Sequence, residues 1–300
     1  MSRKSNKIKN RKFGLLTTFL SILTIFLFMT SVGFAEEVHL RLGTSKEGTT
    51  AYSSGVGLSA VIKKYSENVT MEAVPTPGST ASVKILGNNG ADICYAATTT
   101  LKDAYRGTGP FEKVPMPEDR KPLQGWYWNS GDWFVAVSKD RDDINNLSDL
   151  KGKKVYPSAA GSGIFDLYRR VFTKLGIWEQ IEVRQMGYME SPDALKMGTI
   201  DAIGAYANLY GNAVPGWVKN LEARTEIKII EPSEEEKKII STIPDVTVGM
   251  IKTKWLGKKN RQWNDDEVWG WIVHYGFHPA PDVPTDAFYQ IYKCWIERAK

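Results

Sequence analysis

The 300-residue chain has two cysteines, Cys94 and Cys294, and three histidines, His39, His274 and His278. Two cysteines make no disulfide framework, and Cys94 sits inside an apolar, strand-like run where it reads as core. The histidines have no metal-ligand spacing, and no Ser, His and Asp or Cys and His suggest a nucleophile with its base. Neither an enzyme nor a cofactor is expected. A basic surface is missing as well. The formal charge of +5 comes from six cations, Arg3, Lys4, Lys7, Lys9, Arg11 and Lys12, that precede the first acid, Glu36. Without them 33 Lys and Arg face 34 Asp and Glu, a balance of about −1. Nucleic acid as a partner needs a cationic footprint, and this chain offers none.

Those six cations instead form the basic start of an export leader. An apolar run from Phe13 to Met29 follows, and Gly33-Phe34-Ala35 puts small residues at both cleavage-recognition positions. The expectation is a signal peptide over residues 1–35, cut before Glu36. The other reading is an uncleaved anchor, since the run nearly reaches the ~20 residues that span a bilayer. No cysteine lies near the cleavage site to carry a lipid, so an untethered, periplasmic protein is expected. With 42% hydrophobic and 24% charged residues the remainder is ordinarily globular, and long enough for two lobes with their own cores.

After the leader, strands and helices alternate. Val38, Leu40 and Leu42 alternate with polar residues as a strand, and a helix to about Tyr65 carries Leu58, Val61, Ile62 and Tyr65 on one face. Strand Val69–Val74, a helix with Val83 and Leu86, and strand Ile93–Ala97 complete a β-α-β-α-β unit with right-handed crossovers. Gly107–Pro122, rich in charge and proline, reads as a surface linker. The aromatics of Trp126-Tyr127-Trp128 and Trp133-Phe134 suggest either core or a ligand wall. The second half repeats the pattern: strand Lys154–Ser158, a helix from Gly163 with Leu167, Val171 and Leu175 on a stripe, strand Ile181–Gln185, a helix over Ser191–Met197 and strand Asp201–Tyr206. The Glu234-Glu235-Glu236-Lys237-Lys238 run reads as the solvated start of a helix. Val268–Phe277 alternates as a long strand, and Pro284-Thr285-Asp286 opens a final helix in which the chain ends, as if a further segment followed.

Parallel sheets of this kind bind ligands at the carboxyl ends of their strands. The loops there carry Thr44, Ser45, Thr50, Gly78, Ser79 and Thr98 in the first half, and Ser162 and Gly163 in the second. The first amides of a helix have no intrahelical acceptor, and the dipole makes that end favour an anion. Each hydroxyl could also simply cap its helix. Tyr52, Trp126 and Tyr206 are the candidate walls. Arg106 lies beyond the first-half loops, and Arg169 and Arg170 are expected to face solvent or the lobe surface, because two turns into a helix is ~10 Å from its N-terminus.

Together, Gly43–Tyr52, Pro77-Gly78-Ser79, Gly90-Ala91-Asp92, Gly107-Thr108-Gly109-Pro110-Phe111, Asp149–Val155 with Gly161-Ser162-Gly163, Gly198-x-Ile200-Asp201-Ala202 and Pro281–Tyr289 resemble the TAXI-type solute-binding proteins of tripartite ATP-independent periplasmic (TRAP) transporters. The resemblance covers nearly all of the chain after the leader. It implies an α/β, two-lobed type II periplasmic-binding-protein-like fold with a ligand cleft between lobes. Lobe 1 would span residues 36–128 with a return helix at 284–300, and lobe 2 residues 129–283. It also implies a monomer that captures a small organic anion and delivers it to TRAP membrane permease subunits. The chain departs from the family where Ser45, Thr49 and Ala51 replace a Gly, a Gly and a Tyr. It departs again where Ile164 and Phe165 follow Gly163 in place of an oxygen donor, so family ligands do not transfer. A binding protein for an ABC-type importer shares the fold and differs in its membrane partner. An enzyme or sensor on the same scaffold is the third reading.

Overall fold

A computed structural model describes residues 37–208 and 214–298. The leader expected over 1–35 and the last two residues, 299–300, lie outside the described residues. The first half runs β1 (Val38–Gly43), α1 (Thr50–Tyr65), β2 (Val69–Val74), α2 (Ser79–Gly87), β3 (Ile93–Ala97) and α3 (Thr98–Arg106). Strand β4 (Trp126–Ser138) leads to the second half: β5 (Lys154–Tyr156), α4 (Gly163–Lys174), β6 (Glu182–Val183), α5 (Ser191–Lys196) and β7 (Ala202–Asn208). Then come α6 (Gly216–Arg224), β8 (Ile227–Ile230), α7 (Glu234–Ser241), β9 (Val248–Lys252), α8 (Lys258–Arg261), β10 (Glu267–Pro279) and α9 (Thr285–Arg298).

The described strands form one sheet in the order β2-β1-β3-β10-β4-β7-β5-β6, with β8 beside β4 and β9 beside β10. Each half is the same parallel triplet: β1 between β2 and β3, and β5 between β6 and β7. Between them lie the two 13-residue strands β4 and β10, antiparallel to each other. The end of β10 pairs with β3, while the later part of β4 pairs with β7. β4 and β10 therefore join the two parallel triplets side by side. Where they meet, Tyr275 faces Asn129 but Gly276 faces Tyr127, so Trp128 is the extra residue of a β-bulge.

Local chemistry explains the elements that matter for the site. Thr49 caps α1 by accepting from the Tyr52 amide, and the buried Ala51, Gly55, Leu58 and Ile62 fall on one stripe. Ser162 caps α4 through the Phe165 amide, with Leu167, Tyr168, Val171 and Phe172 buried beneath. All five residues of β3 are buried because it lies between β1 and β10, which removes the alternation a half-exposed strand would show.

Several expectations need correcting. Gly107–Pro122 is no bare linker: Phe111, Met116 and Arg120 are buried against α2 and β3. Thr98–Thr100 opens α3 instead of forming a loop. The strand expected over Ile181–Gln185 pairs only at Glu182–Val183, since its neighbour β5 is itself three residues long. Glu236 is not solvated. It closes the capping box of α7 with Ser233 and accepts from the Ser148 amide (2.7 Å) and hydroxyl (2.5 Å). Cys94, in β3, and Cys294, in α9, are both free.

His278 ends β10 in a dry setting, with Nδ1 accepting from the Gly125 amide at 3.2 Å. Burial pushes its pKa down to about 4, against 6.5 for an ordinary histidine. The unfolded chain therefore binds a proton that the fold does not, as pH drops through 6.5 towards 4. Full stability is present above pH 6.5 and declines on acidification, with a slope of at most about 1.4 kcal/mol per pH unit from this group. Denaturant titrations between pH 7 and 4.5 should show that slope, and His278→Gln should flatten it.

Candidate functional site

At the carboxyl ends of both parallel triplets the lobes meet across a narrow seam. Gly78, the residue before α2, has φ +148° and lies so close to α4 that a Cβ there would come within 2.8 Å of Ser162 Cα. A Cβ on Gly163 would overlap Thr100 Oγ1 of α3. The Ala81 amide donates to the Gly161 carbonyl across the seam at 3.1 Å. Glycine at both positions is what lets two helix N-termini approach this closely.

Inside the seam is a small cavity of about 30 Å³. Three helix starts contribute to its wall: Thr49, Thr50 and Ala51 of α1, Ser79 of α2 with Gly78 before it, and Gly163 and Ile164 of α4 with Ser162 before them. Ser45 adds a hydroxyl from the β1–α1 loop. The opposite wall is aromatic, with Tyr95, Trp128, Trp133, Tyr206 and Tyr275 from the sheet and Tyr188 from the loop before α5.

The polar groups of the wall are held in place. Ser79 Oγ accepts from the Ala97 amide at 3.2 Å. Ser158 hydrogen-bonds both Ser162 Oγ (3.0 Å) and Tyr188 OH (2.9 Å), tying the cap of α4 to the loop before α5. Asn208 Nδ2 donates to Thr50 Oγ1 across the cleft at 2.8 Å. Trp133 Nε1 donates to Tyr275 OH (3.0 Å), while Trp133 stacks on Tyr206 at 4.2 Å and Tyr95 on Tyr275 at 5.2 Å. Burial raises the pKa of Tyr95, Tyr188, Tyr206 and Tyr275, so all four phenols stay neutral.

Of the residues singled out from the sequence, Ser45, Thr50, Gly78, Ser79, Ser162, Gly163 and Tyr206 line the cavity together. Thr44, Tyr52, Thr98 and Trp126 lie elsewhere. Thr44 is buried and donates to the Val74 carbonyl at 3.0 Å, fastening β1 to β2. Tyr52 is past the arc of α1 that Thr50 and Ala51 turn to the cavity. Thr98 is exposed and donates to the His274 carbonyl (3.2 Å), because α3 starts there and turns Thr100 to the seam instead. Trp126 packs on Phe277, Phe288 and Tyr292, anchoring α9. Tyr95, Tyr188, Asn208 and Tyr275 had no local signal, since each reaches the cavity only through the pairing of distant strands or loops. Trp128 and Trp133 stood in the aromatic stretch already suspected as a wall.

The family model of the NMT1-like family matches residues 42–300. The chain belongs to the NMT1-like family. Among solved structures, this NMT1-like chain is similar to a protein from Bordetella bronchiseptica RB50, with TM-score 0.51, 15% identity, and 87% of this chain and 73% of the other covered. An ancestral arginine-binding protein bound to arginine matches at TM-score 0.49 and 18% identity, over 86% of this chain and 91% of the other. A putative L-cystine ABC transporter protein from Listeria monocytogenes matches at TM-score 0.48 and 15% identity, over 86% and 89%. At such identities the Bordetella likeness speaks for the fold alone. The fold is the expected two-lobed, type II one.

The arginines stay out of the cavity, but one does not simply face solvent. Arg170 crosses the seam to Asp103 of α3 at 2.6 Å, with Asp103 largely buried. Nearby, Thr80 donates to Asp166 (2.9 Å), and Lys102 and Arg106 both pair with Asp245 (2.6 Å each). Among the described residues Arg169 makes only an intrahelical contact, 3.5 Å from Asp166. Arg169→Ala should leave ligand affinity within about threefold, under roughly 0.7 kcal/mol. Arg170→Ala removes a pair that bridges the seam and should weaken affinity by about five- to tenfold if closure brings it together. Calorimetry on the two variants checks this, and equal effects would remove the role given to the crossing pair.

Proposed function

We propose that this NMT1-like chain is an extracytoplasmic solute-binding protein. Its cleft captures a small organic anion, and its closed form delivers that anion to a membrane permease. The observation that carries this reading is the convergence of three helix N-termini on one cavity at the contact between the lobes. Their amides and the flanking hydroxyls can hold a carboxylate without a formal cation. Catalysis is not part of the proposal: the titratable side chains among the described lining residues are tyrosines, and burial raises their pKa, so none is poised as a base near neutral pH.

The lobes are proposed to divide as residues 36–128 with 284–300 against 129–283, the change falling at the Trp128 bulge. After loss of the leader the protein would work as a periplasmic monomer. For the membrane partner we infer TRAP-type permease subunits of the TAXI class, driven by an ion gradient. The ABC-type reading uses the same cleft and differs only in that partner. Neighbouring genes separate the two: a large multi-span permease without an ATPase marks the TRAP class, an ATPase the other. Solute binding itself is tested by calorimetry with small organic acids, and a protein that bound none of them would contradict it.

A further inference from the structure

The charge pattern of the cavity reaches past anion capture, although it rests on that reading. At the polar end, Ser45 is 7% exposed and lines the cavity, and among the described residues its hydroxyl has no hydrogen-bond partner. An unpaired hydroxyl on a largely buried residue in the loop before α1 is the arrangement that an incoming carboxylate oxygen completes.

The rest of the wall has nothing to offer a second charge. None of the described residues lining the cavity is Asp, Glu, Lys, Arg or His. Lys46 and Glu47, adjacent to Ser45, instead line an outer groove with Pro77 and Met189. Asp103 and Asp166 are engaged at the seam, by Arg170 and Thr80. Nor are the aromatics arranged as a cage for an onium group. Trp133 and Tyr206 cover each other at 4.2 Å, and Tyr95 and Tyr275 at 5.2 Å with 13° between planes, so each ring has one face taken by its partner. Holding a cation by its π-attraction needs several free faces converging on one point.

We propose that the ligand is a monocarboxylate whose remaining atoms are neutral, and that the site rejects the α-amino acid of the same shape. The carboxylate would sit on the helix amides and Ser45, with the uncharged remainder against the aromatic wall. An α-ammonium there would lose its water without gaining a carboxylate partner, and a second carboxylate among the rings would lose its water without gaining donors. Discrimination by buried, unpaired polar groups is steep, far steeper than by fit of an extra methylene.

Matched pairs isolate the ammonium. The full chain is titrated calorimetrically with L-lactate and L-alanine, with 3-phenyllactate and phenylalanine, and with propionate and succinate. At least one hydroxy acid should bind 30-fold or more tighter than its amino acid, and propionate tighter than succinate. Ser45→Ala should weaken the bound acid about fivefold with an unchanged melting temperature. If an amino acid bound as tightly as its hydroxy acid, the inference would fail while the solute-binding reading stood. If no acid of either kind bound at millimolar concentration, both would fall.

Discussion

Gly163→Pro is expected to abolish ligand binding, at least a hundredfold, while leaving the protein folded. The position tolerates proline in the helix: Ser162 is the N-cap, so residue 163 is the first helical position, where the proline ring fits and no intrahelical bond is lost. Ser162 already has φ −85° and ψ 145°, the extended conformation that a following proline demands. Far-UV circular dichroism and melting temperature should therefore change little. Binding suffers twice. The amide lost would have met the ligand in a charge-assisted bond, a contribution on the order of 1.5–3 kcal/mol. The ring also enters space that Thr100 Oγ1 and Ser79 occupy from the other lobe, wedging the seam open. Gly163→Ala keeps the amide and brings only the wedge, so it should bind more weakly than the native chain and more strongly than the proline variant. Adding Thr100→Ala should recover part of that loss. Normal affinity in Gly163→Pro would sink the amide cradle.

Arg120→Ala should destabilise the fold by about 3 kcal/mol, without touching the site. Arg120 is 8% exposed and threads back from the proline-rich segment. Its Nε and Nη2 donate to the Leu86 carbonyl at 3.2 and 3.1 Å, its Nη2 also reaches the Ala91 carbonyl at 3.3 Å, and its Nη1 pairs with Asp282 at 2.5 Å. Most of the effect is assigned to the carbonyls. Asp282 is largely exposed, and an exposed partner contributes little; the Leu86 carbonyl keeps the Asn89 amide at 3.1 Å, whereas the Ala91 carbonyl would be stripped of its donor at a cost of ~1–3 kcal/mol, added to the lost charge-assisted bonds to Leu86. For a domain of this size that corresponds to a fall in melting temperature of roughly 6–12 °C. Arg120→Lys should recover little, because one ammonium cannot reach both carbonyls in the geometry of the fork. A loss below about 1 kcal/mol would mean the segment is held by Phe111 and Met116 alone.

Arg120 also shows where reading from sequence stops. The parallel triplets were legible because each strand and helix repeats a local period, as Val38, Leu40 and Leu42 do in β1 and Ala51, Leu58 and Ile62 do in α1. Helix starts were legible too, since Ser162 and Thr49 are caps with local partners. Gly107–Pro122 misleads because its composition is that of a loop, while its three anchors are buried by elements far away in sequence. In the site, the polar end came through for the same reason that the helix starts did. The aromatic end came through in part: Tyr206 was a candidate wall and Trp128 and Trp133 stood in a suspected stretch, but Tyr95 and Tyr275 join them only because β3, β10, β4 and β7 lie side by side. Thr98 illustrates the smallest kind of error. A helix that opens at Thr98, where a loop was expected, turns Thr98 outward and Thr100 to the seam.

The central claim, that an anion is captured by closure of the two lobes on helix amides, is tested most directly by small-angle scattering. The native chain and Gly163→Pro are measured with and without a saturating acid from the titration series. The native protein should contract on adding the acid, its radius of gyration falling as the closed population grows, and the proline variant should show no contraction at the same concentration. Tight binding to the native chain with an unchanged radius of gyration, or equal contraction in the variant, would contradict the claim.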